Sequence, residues 1–260
     1  MMAFRTLHAG LSAQRLVLAE AGALRPGRML SCDSLECAPA DAAPWQPAVA
    51  ALAQRLAAQR GRRPALRVVL SGRFVRWQLL PWRAELTRPQ EMAAFAQLRF
   101  RETYGKAAEE WRVLHAPQPP GRAVPACAVD AALLDALRKT GKEAGARLAS
   151  VTPYFASAFD RWRGNLKNGS AWFGLIEPDC LSLGLLREGG WIGLRAQRLG
   201  EDWREALPGL MAQIGIPAGA DAAPAPLYLA GEGEAPTAAA DLPFTWLRPP
   251  ATDCRPALGI

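Results

Sequence analysis

This chain of 260 residues is poor in the side chains on which many enzymes depend. It has only two histidines, His8 and His115, so a Ser-His-Asp triad has little support. Its five cysteines are an odd number without a Cys-x-x-Cys pair, so no metal site is expected and a reducing compartment fits best. Two of them, Cys127 and Cys180, lie in apolar segments and are predicted to be core thiols.

The short motifs of nucleotide-binding and hydrolytic enzymes are also absent. There is no GxxxxGK[ST] phosphate loop and no GxSxG. Gly231 and Gly233 form only a GxG after a predicted strand, with no helix pattern behind them. Two carboxylate pairs, Glu109-Glu110 and Glu201-Asp202, stand at polar ends of predicted elements and are expected to be solvated caps.

Long hydrophobic runs are missing as well. No segment approaches the roughly 20 apolar residues that a membrane-spanning helix needs. Arg15 and Glu20 interrupt the apolar residues near the start, so no signal-peptide pattern is visible. The sequence therefore predicts a cytoplasmic protein that reaches the inner membrane only through a partner.

The basic charge is carried almost entirely by arginine. The formal net charge is +7 at a pI of about 9.6, yet only four of the 31 basic residues are lysine. The arginines are scattered and have acidic neighbours, whereas nucleic-acid-binding proteins concentrate basic residues on one face. No nucleic-acid partner is expected; charge alone keeps that alternative open, and it would require strongly salt-dependent association with DNA.

The clearest pattern that is present lies at residues 66–82, LRVVLSGRFVRWQLLPW. Apolar and polar residues alternate on both sides of Ser71-Gly72, which predicts a β-hairpin. A helix follows from Pro89 to about Tyr104, with Thr87 as its cap, Gln90 as the capping-box partner and Gly105 as its end.

Strands and helices alternate along the rest of the chain, which predicts an α/β or α+β protein with mixed sheets. A hairpin around Ser12-Ala13 begins the chain, and a second large hairpin is expected from strands 171–186 and 191–199 around Glu188-Gly189-Gly190. The polar, turn-rich segment 163–170 between them is interpreted as a boundary between two lobes. The other predicted strands cover about 28–35, 111–115, 126–129, 148–152, 227–230 and 244–247, and the other helices 47–59, 130–144, 153–162 and 201–214.

From residue 66 onward the chain resembles the actin-like proteins of bacterial type IV pilus and type II secretion systems, the pilus assembly protein PilM and the cytoplasmic part of the secretion protein GspL. The resemblance is carried by the 66–82 hairpin, RPQEMAAFAQLRFRETYG, WRVLHA, PACAVDAALLDALRKTGKEAG, RLASVTPYFASAFDRW and the second hairpin. It implies a two-lobed actin-like (RNase H-like) α/β ATPase fold. The first lobe would span 1–165, with a small α+β subdomain inserted at about 66–151, and a degenerate, truncated second lobe would span 166–260.

The resemblance also implies where nucleotide would bind. Actin-like ATPases hold phosphates with two hairpins that carry an acidic-Gly-small motif. The matching segments here are HAGLS (8–12), with Ala9 in place of the acidic residue, and IEPDC (176–180), with Pro178 in place of glycine. The remaining nucleotide-site positions are Gly10, Ser12, Glu177, Asp179, Gly231 and Gly233. These departures predict no cofactor and no catalysis; the alternative is a divergent ATP-binding protein or kinase that uses Mg-ATP.

By resemblance, the expected function is that of a non-enzymatic scaffold. Its partner would be the cytoplasmic N-terminal peptide of an inner-membrane assembly protein, and a homodimer is also allowed. The candidate contacts are side chains expected to be exposed on and after the 66–82 hairpin: Arg73, Arg76, Trp77 and Trp82. For Trp77, packing under the following helix is an equal alternative.

Overall fold

The computed structural model describes residues 6–21, 29–38, 40, 43–58, 63–166, 169–200, 202–217, 219, 225–232 and 242–248. Over these residues the chain forms three β-sheets and five α-helices, so the expected mixed α/β class is confirmed. Its described residues divide into two compact units, one within residues 6–74 and 131–161 and the other within residues 75–130 and 162–248. No helix within the described ranges is long and apolar enough to span a membrane.

The first unit contains a five-stranded sheet in the order β3-β2-β1-β4-β8. β1, β4 and β8 are parallel; β2 pairs antiparallel with β1, and the edge strand β3 pairs antiparallel with β2. Helix α1 lies against β1 and β2, and α3 lies against β8 and α1. Their bounds are β1 Thr6–Leu11, β2 Arg15–Ala21, β3 Met29–Glu36, α1 Gln46–Ala57, β4 Ala65–Leu70, α3 Ala131–Glu143, β8 Arg147–Pro153 and α4 Tyr154–Trp162.

The predicted hairpin at 66–82 is wrong, although both of its strands exist. β4 ends at Leu70, and β5, Val75–Leu80, begins after a short 3-10 turn. The two strands do not pair, because β4 lies between β1 and β8 while β5 belongs to a separate three-stranded sheet.

Ser71 explains why the chain does not turn back on itself here. Its backbone N–H donates to the carbonyl of Leu11 at 2.9 Å, which extends the β1–β4 pairing by one residue. Its carbonyl accepts from the N–H of Phe74 at 3.0 Å, and its hydroxyl accepts from the N–H of Arg73 at 3.1 Å. Serine competes for local backbone groups in this way, so the segment winds into a helical turn rather than a hairpin.

The three-stranded sheet, in the order β5-β7-β6, carries one helix on one of its faces. Helix α2 spans Pro89–Tyr104, β6 spans Trp111–His115 and β7 spans Val124–Asp130. The core between helix and sheet comprises Leu80, Ala96, Phe100, Ala108, Val124, Ala126 and Ala128. Burial of these apolar side chains holds the helix on the sheet.

The start of α2 corrects one predicted detail. The carboxylate of Glu91, rather than the side chain of Gln90, accepts hydrogen bonds from the backbone N–H groups of Thr87 and Arg88, at 3.1 and 3.0 Å. The helix begins one residue after Arg88, so Glu91 occupies the third helical position from which a carboxylate can reach back. Gly105, with φ +64°, ends the helix as predicted.

The second unit also contains a five-stranded sheet, in the order β11-β10-β9-β12-β13, with helix α5 packed on it. The predicted single strand 171–186 is two strands, because the chain reverses at Pro178-Asp179. The turn at Glu188-Gly189 is confirmed, since both residues have positive φ, 51° and 74°. The bounds are β9 Ala171–Glu177, β10 Cys180–Arg187, β11 Gly190–Arg198, α5 Trp203–Gly215, β12 Leu227–Gly231 and β13 Phe244–Trp246.

The three-stranded sheet and its helix cover a shorter part of the chain than the insertion expected at about 66–151. β4 and β8, which stand at the two ends of that range, belong to the sheet of the first unit. Compactness groups residues 75–130 with residues 162–248. The division into lobes 1–165 and 166–260 stays a prediction.

Candidate functional site

The turn between β1 and β2 contains Gly10 and Ser12, the first pair of predicted nucleotide-site residues. Gly10 is buried within β1, opposite Val17 on one side and Val69 on the other. Ser12 closes the turn, because its backbone N–H and its hydroxyl both donate to the carbonyl of Arg15, at 2.9 and 3.2 Å. The only side-chain hydroxyl of the HAGLS segment is thus engaged inside its own hairpin.

His8 opens the same segment and carries little positive charge at neutral pH. Burial lowers the pKa of its half-buried imidazole below the ordinary value of 6.5, and the charge of neighbouring Arg67 lowers it further. His8 and Arg67 are opposite each other on β1 and β4. With Ala9 next to it, this strand presents neither the carboxylate that would hold Mg²⁺ nor a protonated histidine.

The turn between β9 and β10 contains Glu177 and Asp179. Glu177 is opposite Cys180, and Pro178 and Asp179 link them. Glu177 is only 5% exposed, and the carbonyl of Asp179 accepts a hydrogen bond from the N–H of Leu199 at 3.0 Å. Pro178 has no N–H, so this turn offers one amide donor fewer than a glycine turn would.

Gly231 is explained by the packing of the sheet. It ends β12 and lies opposite Ile176 of β9. A Cβ atom at this position would lie 2.9 Å from the carbonyl oxygen of Ile176 and 2.9 Å from a ring carbon of Trp246. Only glycine allows the three strands to approach this closely. Gly233 lies outside the described residues.

The structure brings three of the predicted nucleotide-site residues to one end of one sheet. β9 and β12 are parallel, so Glu177 and Gly231 lie at their carboxyl ends, and Asp179 follows directly in the turn. Gly10 and Ser12 belong to the other unit. Among the described residues, no cluster of three His, Cys, Asp or Glu side chains has the arrangement of a metal site.

The four predicted partner contacts differ in exposure. Trp82 is 44% exposed, whereas Arg73, Arg76 and Trp77 are half-buried, so the expectation that all four are displayed is wrong for three of them. The strand geometry gives the reason. Arg76 lies with its guanidinium carbon 5.9 Å from the ring centroid of Trp111, and Trp77 lies on β5 opposite Cys127 of the central strand β7.

Two further exposed residues were not singled out by the sequence. Arg112 and Leu114 of β6 project from the same face of the strand, and Leu114 is 61% exposed. The sequence WRVLH could have indicated this, because the alternation of a strand places Arg112 and Leu114 together on one face. Cys127, on β7, is buried as predicted, as is Cys180, and burial raises the pKa of Cys127 to about 11.

Comparison with known proteins decides the fold. No protein-family model and no curated protein matches the sequence. Among solved structures, the cytoplasmic domain of EpsL, an inner-membrane component of the type II secretion system of Vibrio cholerae, is similar over 98% of this chain and 92% of that domain, with a TM-score of 0.62 and 12% identity. The chain has an actin-like fold.

Two further structures agree with this assignment. An actin-like ATPase-fold protein of unknown function from Bacteroides thetaiotaomicron matches over 90% of this chain and 84% of its own, with a TM-score of 0.55 and 13% identity. A PilM–PilN type IV pilus biogenesis complex matches over 88% of this chain and 81% of its own, with a TM-score of 0.56 and 20% identity. The actin-like fold expected from the sequence is therefore confirmed, and its structural neighbours include both kinds of protein that the sequence resembles.

Proposed function

We propose that this actin-like chain is a non-enzymatic scaffold on the cytoplasmic side of a bacterial type IV pilus or type II secretion-like machine. It binds a cytoplasmic segment of a membrane-anchored partner, which recruits it to the inner membrane. The proposal is supported by the two neighbours of similar length, one an inner-membrane component of a secretion system and the other a complex of PilM with PilN.

The proposal that the chain is non-enzymatic rests on the two turns that match the nucleotide-binding motifs, the β1–β2 turn with Ser12 and the β9–β10 turn with Pro178. The Ser12 hydroxyl is bonded within its own turn, and Pro178 has no N–H to offer a phosphate. Gly231 serves the packing of β12 against Ile176. At these three positions, therefore, the residue either has another task or lacks the necessary group.

The partner contact is proposed at the end of β5. Trp82 is the most exposed of the four candidate residues, and an aromatic side chain on the surface is a typical anchor of an interface. Beside it in sequence, the guanidinium carbon of Arg83 lies 5.4 Å from the ring centroid of Phe95 on α2. Arg76 and Trp77, partly buried on β5, and Arg73, in the first unit, stay candidates.

Calorimetric titration with a synthetic peptide tests the partner. The probe is the cytoplasmic N-terminal segment of the membrane protein encoded beside this chain. We expect saturable binding, weakened about tenfold or more by Trp82→Ala, as for other aromatic anchors. Leu98→Ala on α2 is the matched control, because Leu98 is also exposed, at 52%, and should change nothing. Absence of binding by the unaltered chain would refute the scaffold proposal for that partner.

The alternative is a divergent ATP-binding protein or kinase. It is favoured by Glu177 and Asp179, which remain together with Gly231 at the carboxyl end of the parallel strands β9 and β12. Carboxylates at such a place can hold Mg²⁺ through water. Saturable binding of Mg-ATP in the micromolar range would establish this alternative.

A further inference from the structure

The small sheet β5-β7-β6 has two edges that differ in their surroundings. β5 lies near β11 of the same unit, although the two strands do not pair. β6 is the opposite edge, and none of the described strands pairs with its outer side. An unpaired edge presents a row of backbone donors and acceptors to which another strand can add.

The hydrogen bonds of β6 show which of its backbone groups face outward. The N–H of Ala116 donates to the carbonyl of Pro125 at 2.9 Å, so this pair is a hydrogen-bonded pair of the antiparallel ladder. Such pairs alternate along the strand, which assigns Leu114 and Arg112 to the bonds with β7. The backbone groups of Val113 and His115, which lie between and beyond them, therefore point away from β7.

The side chains beside this edge have a definite chemistry. Arg112 is exposed, and no described residue forms an ion pair or a hydrogen bond with its guanidinium. Leu114 lies on the same face, two residues further, with 61% of its surface exposed. An added strand would place successive same-face side chains directly beside these two.

We propose that β6 accepts an extended segment as a fourth strand of this sheet. The segment carries a carboxylate and an apolar residue two positions apart, so that the carboxylate lies beside Arg112 and the apolar side chain beside Leu114. Main-chain hydrogen bonds to Val113 and His115 hold the strand, and the two side chains select it. This inference rests on the proposed function, since the occupant is the cytoplasmic segment of the membrane-anchored partner.

A second copy of β6 fits this edge less well. If two β6 strands paired antiparallel about Val113, each Arg112 would face a Leu114 of the other copy. Neither guanidinium would gain a carboxylate and neither leucine an apolar neighbour directly opposite it. Charge complementarity therefore favours an acidic segment from another protein over self-pairing.

The test uses the same synthetic cytoplasmic segment and three variants of β6. Val113→Pro removes an outward N–H without removing a bond to β7, and Arg112→Glu reverses the selecting charge. We expect each to weaken binding about tenfold, and Leu114→Thr to weaken it by a smaller factor. Lys142→Glu, on α3 of the first unit, makes the same change of charge at another exposed position and should leave the affinity unchanged.

Amide hydrogen exchange of the unaltered protein provides a readout that needs no substitution. In the free protein the amides of Arg112 and Leu114 are protected by β7, whereas those of Val113 and His115 exchange quickly. Addition of the segment should slow exchange at Val113 and His115, as expected for a newly paired edge.

The outcomes separate the inference from the proposed function. A segment that binds all three β6 variants as tightly as the unaltered chain, without protecting Val113, overturns the inference while the scaffold role stands. A segment that does not bind at all contradicts both. Concentration-dependent dimerisation in size-exclusion chromatography that Val113→Pro abolishes would overturn the choice of occupant, because the edge would then be used by a second copy.

Discussion

The nucleotide-type turns and the small β5-β7-β6 sheet use their polar and aromatic groups in opposite ways. In the turns, the Ser12 hydroxyl is bonded to a carbonyl three residues away and Glu177 is 5% exposed. In the small sheet, Trp82 and Leu114 are exposed large side chains, and Arg112 is an exposed cation. The polar groups of the turns are buried or bonded within the fold, whereas the small sheet exposes these three side chains to solvent.

This difference indicates how an actin-like fold can keep its architecture while its function changes. The sheets still bring Glu177 and Gly231 to one end of parallel strands. Ala9 and Pro178 replace motif residues at the predicted nucleotide positions, and the Ser12 hydroxyl bonds within its own turn. We therefore propose that binding uses surfaces outside these positions. Fold alone does not determine function, so the choice between a scaffold and an ATP-binding protein depends on the residues of the site.

The largest expected effect is on stability, and it comes from a substitution in the core that holds helix α2 on the small sheet. Phe100 of α2 is fully buried against Leu80 and the central strand β7. Phe100→Ala should lower the free energy of unfolding by about 3–5 kcal/mol, from lost burial and the cavity left behind. Chemical denaturation measures it, with Leu98→Ala as the exposed control on the same helix. A loss below that of the control would show that this core is not what positions the surface.

The second effect tests whether Gly231 serves the fold. Gly231→Ala places a methyl group against the Ile176 carbonyl and the Trp246 ring, so the unfolding free energy should fall by about 1–3 kcal/mol. Gly200→Ala is the matched control, because no atom lies within 4 Å of the added carbon there. If Gly231→Ala were as stable as the control, packing would not explain this glycine and a role in ligand binding would regain support.

The third effect concerns the uncharged His8 in the first turn region. Its pKa is lowered in the folded state by burial first and by Arg67 second, so the unfolded chain binds the proton more readily. Stability is therefore expected to be full above pH 6.5 and to fall as the pH is lowered through and below that value. Thermal unfolding at pH 7.5 and pH 5.5 measures this, and His8→Gln should reduce the difference between the two. An unaltered pH dependence in that variant would assign the effect to other groups.

The smallest effect probes the face of the small sheet that contains Cys127. With its pKa raised to about 11 by burial, this thiol stays protonated at pH 8 and should resist alkylation, while exposed Cys32 reacts. The ordinary value is 9.0, so the stability contributed by the protonated thiol is present below pH 9 and is lost as the pH rises towards 11. Mass spectrometry after iodoacetamide treatment reads the difference; equal labelling of both cysteines would mean that this face is open.

Two turns show what the sequence could and could not predict. The sequence predicts a hairpin turn at Glu188-Gly189, and the structure has one there, because the positive φ angles of these two residues define the turn locally. Ser71-Gly72 has a similar pattern, yet its strands enter different sheets, because pairing of Ser71 with Leu11 depends on a strand some sixty residues away. Strand existence is a local property, whereas strand pairing is set by tertiary contacts.

The candidate site also has features that the local sequence predicts and features that depend on tertiary contacts. The replacements at Ala9 and Pro178 could be recognised from the sequence, because they alter the chemistry of the motif itself. The half-burial of Arg76 and Trp77 could not, since it depends on Trp111 and on the central strand β7. The exposed pair Arg112 and Leu114 is visible as an alternation, but only the sheet order identifies β6 as an edge with which no further described strand pairs.

Calorimetric titration of the unaltered protein with Mg-ATP tests most directly whether this chain works by contact rather than by catalysis. We expect no saturable heat up to on the order of 1 mM nucleotide, the range of very weak binding, from protein that still binds its partner segment. Saturable micromolar binding, abolished by Asp179→Asn and accompanied by phosphate release, would contradict it.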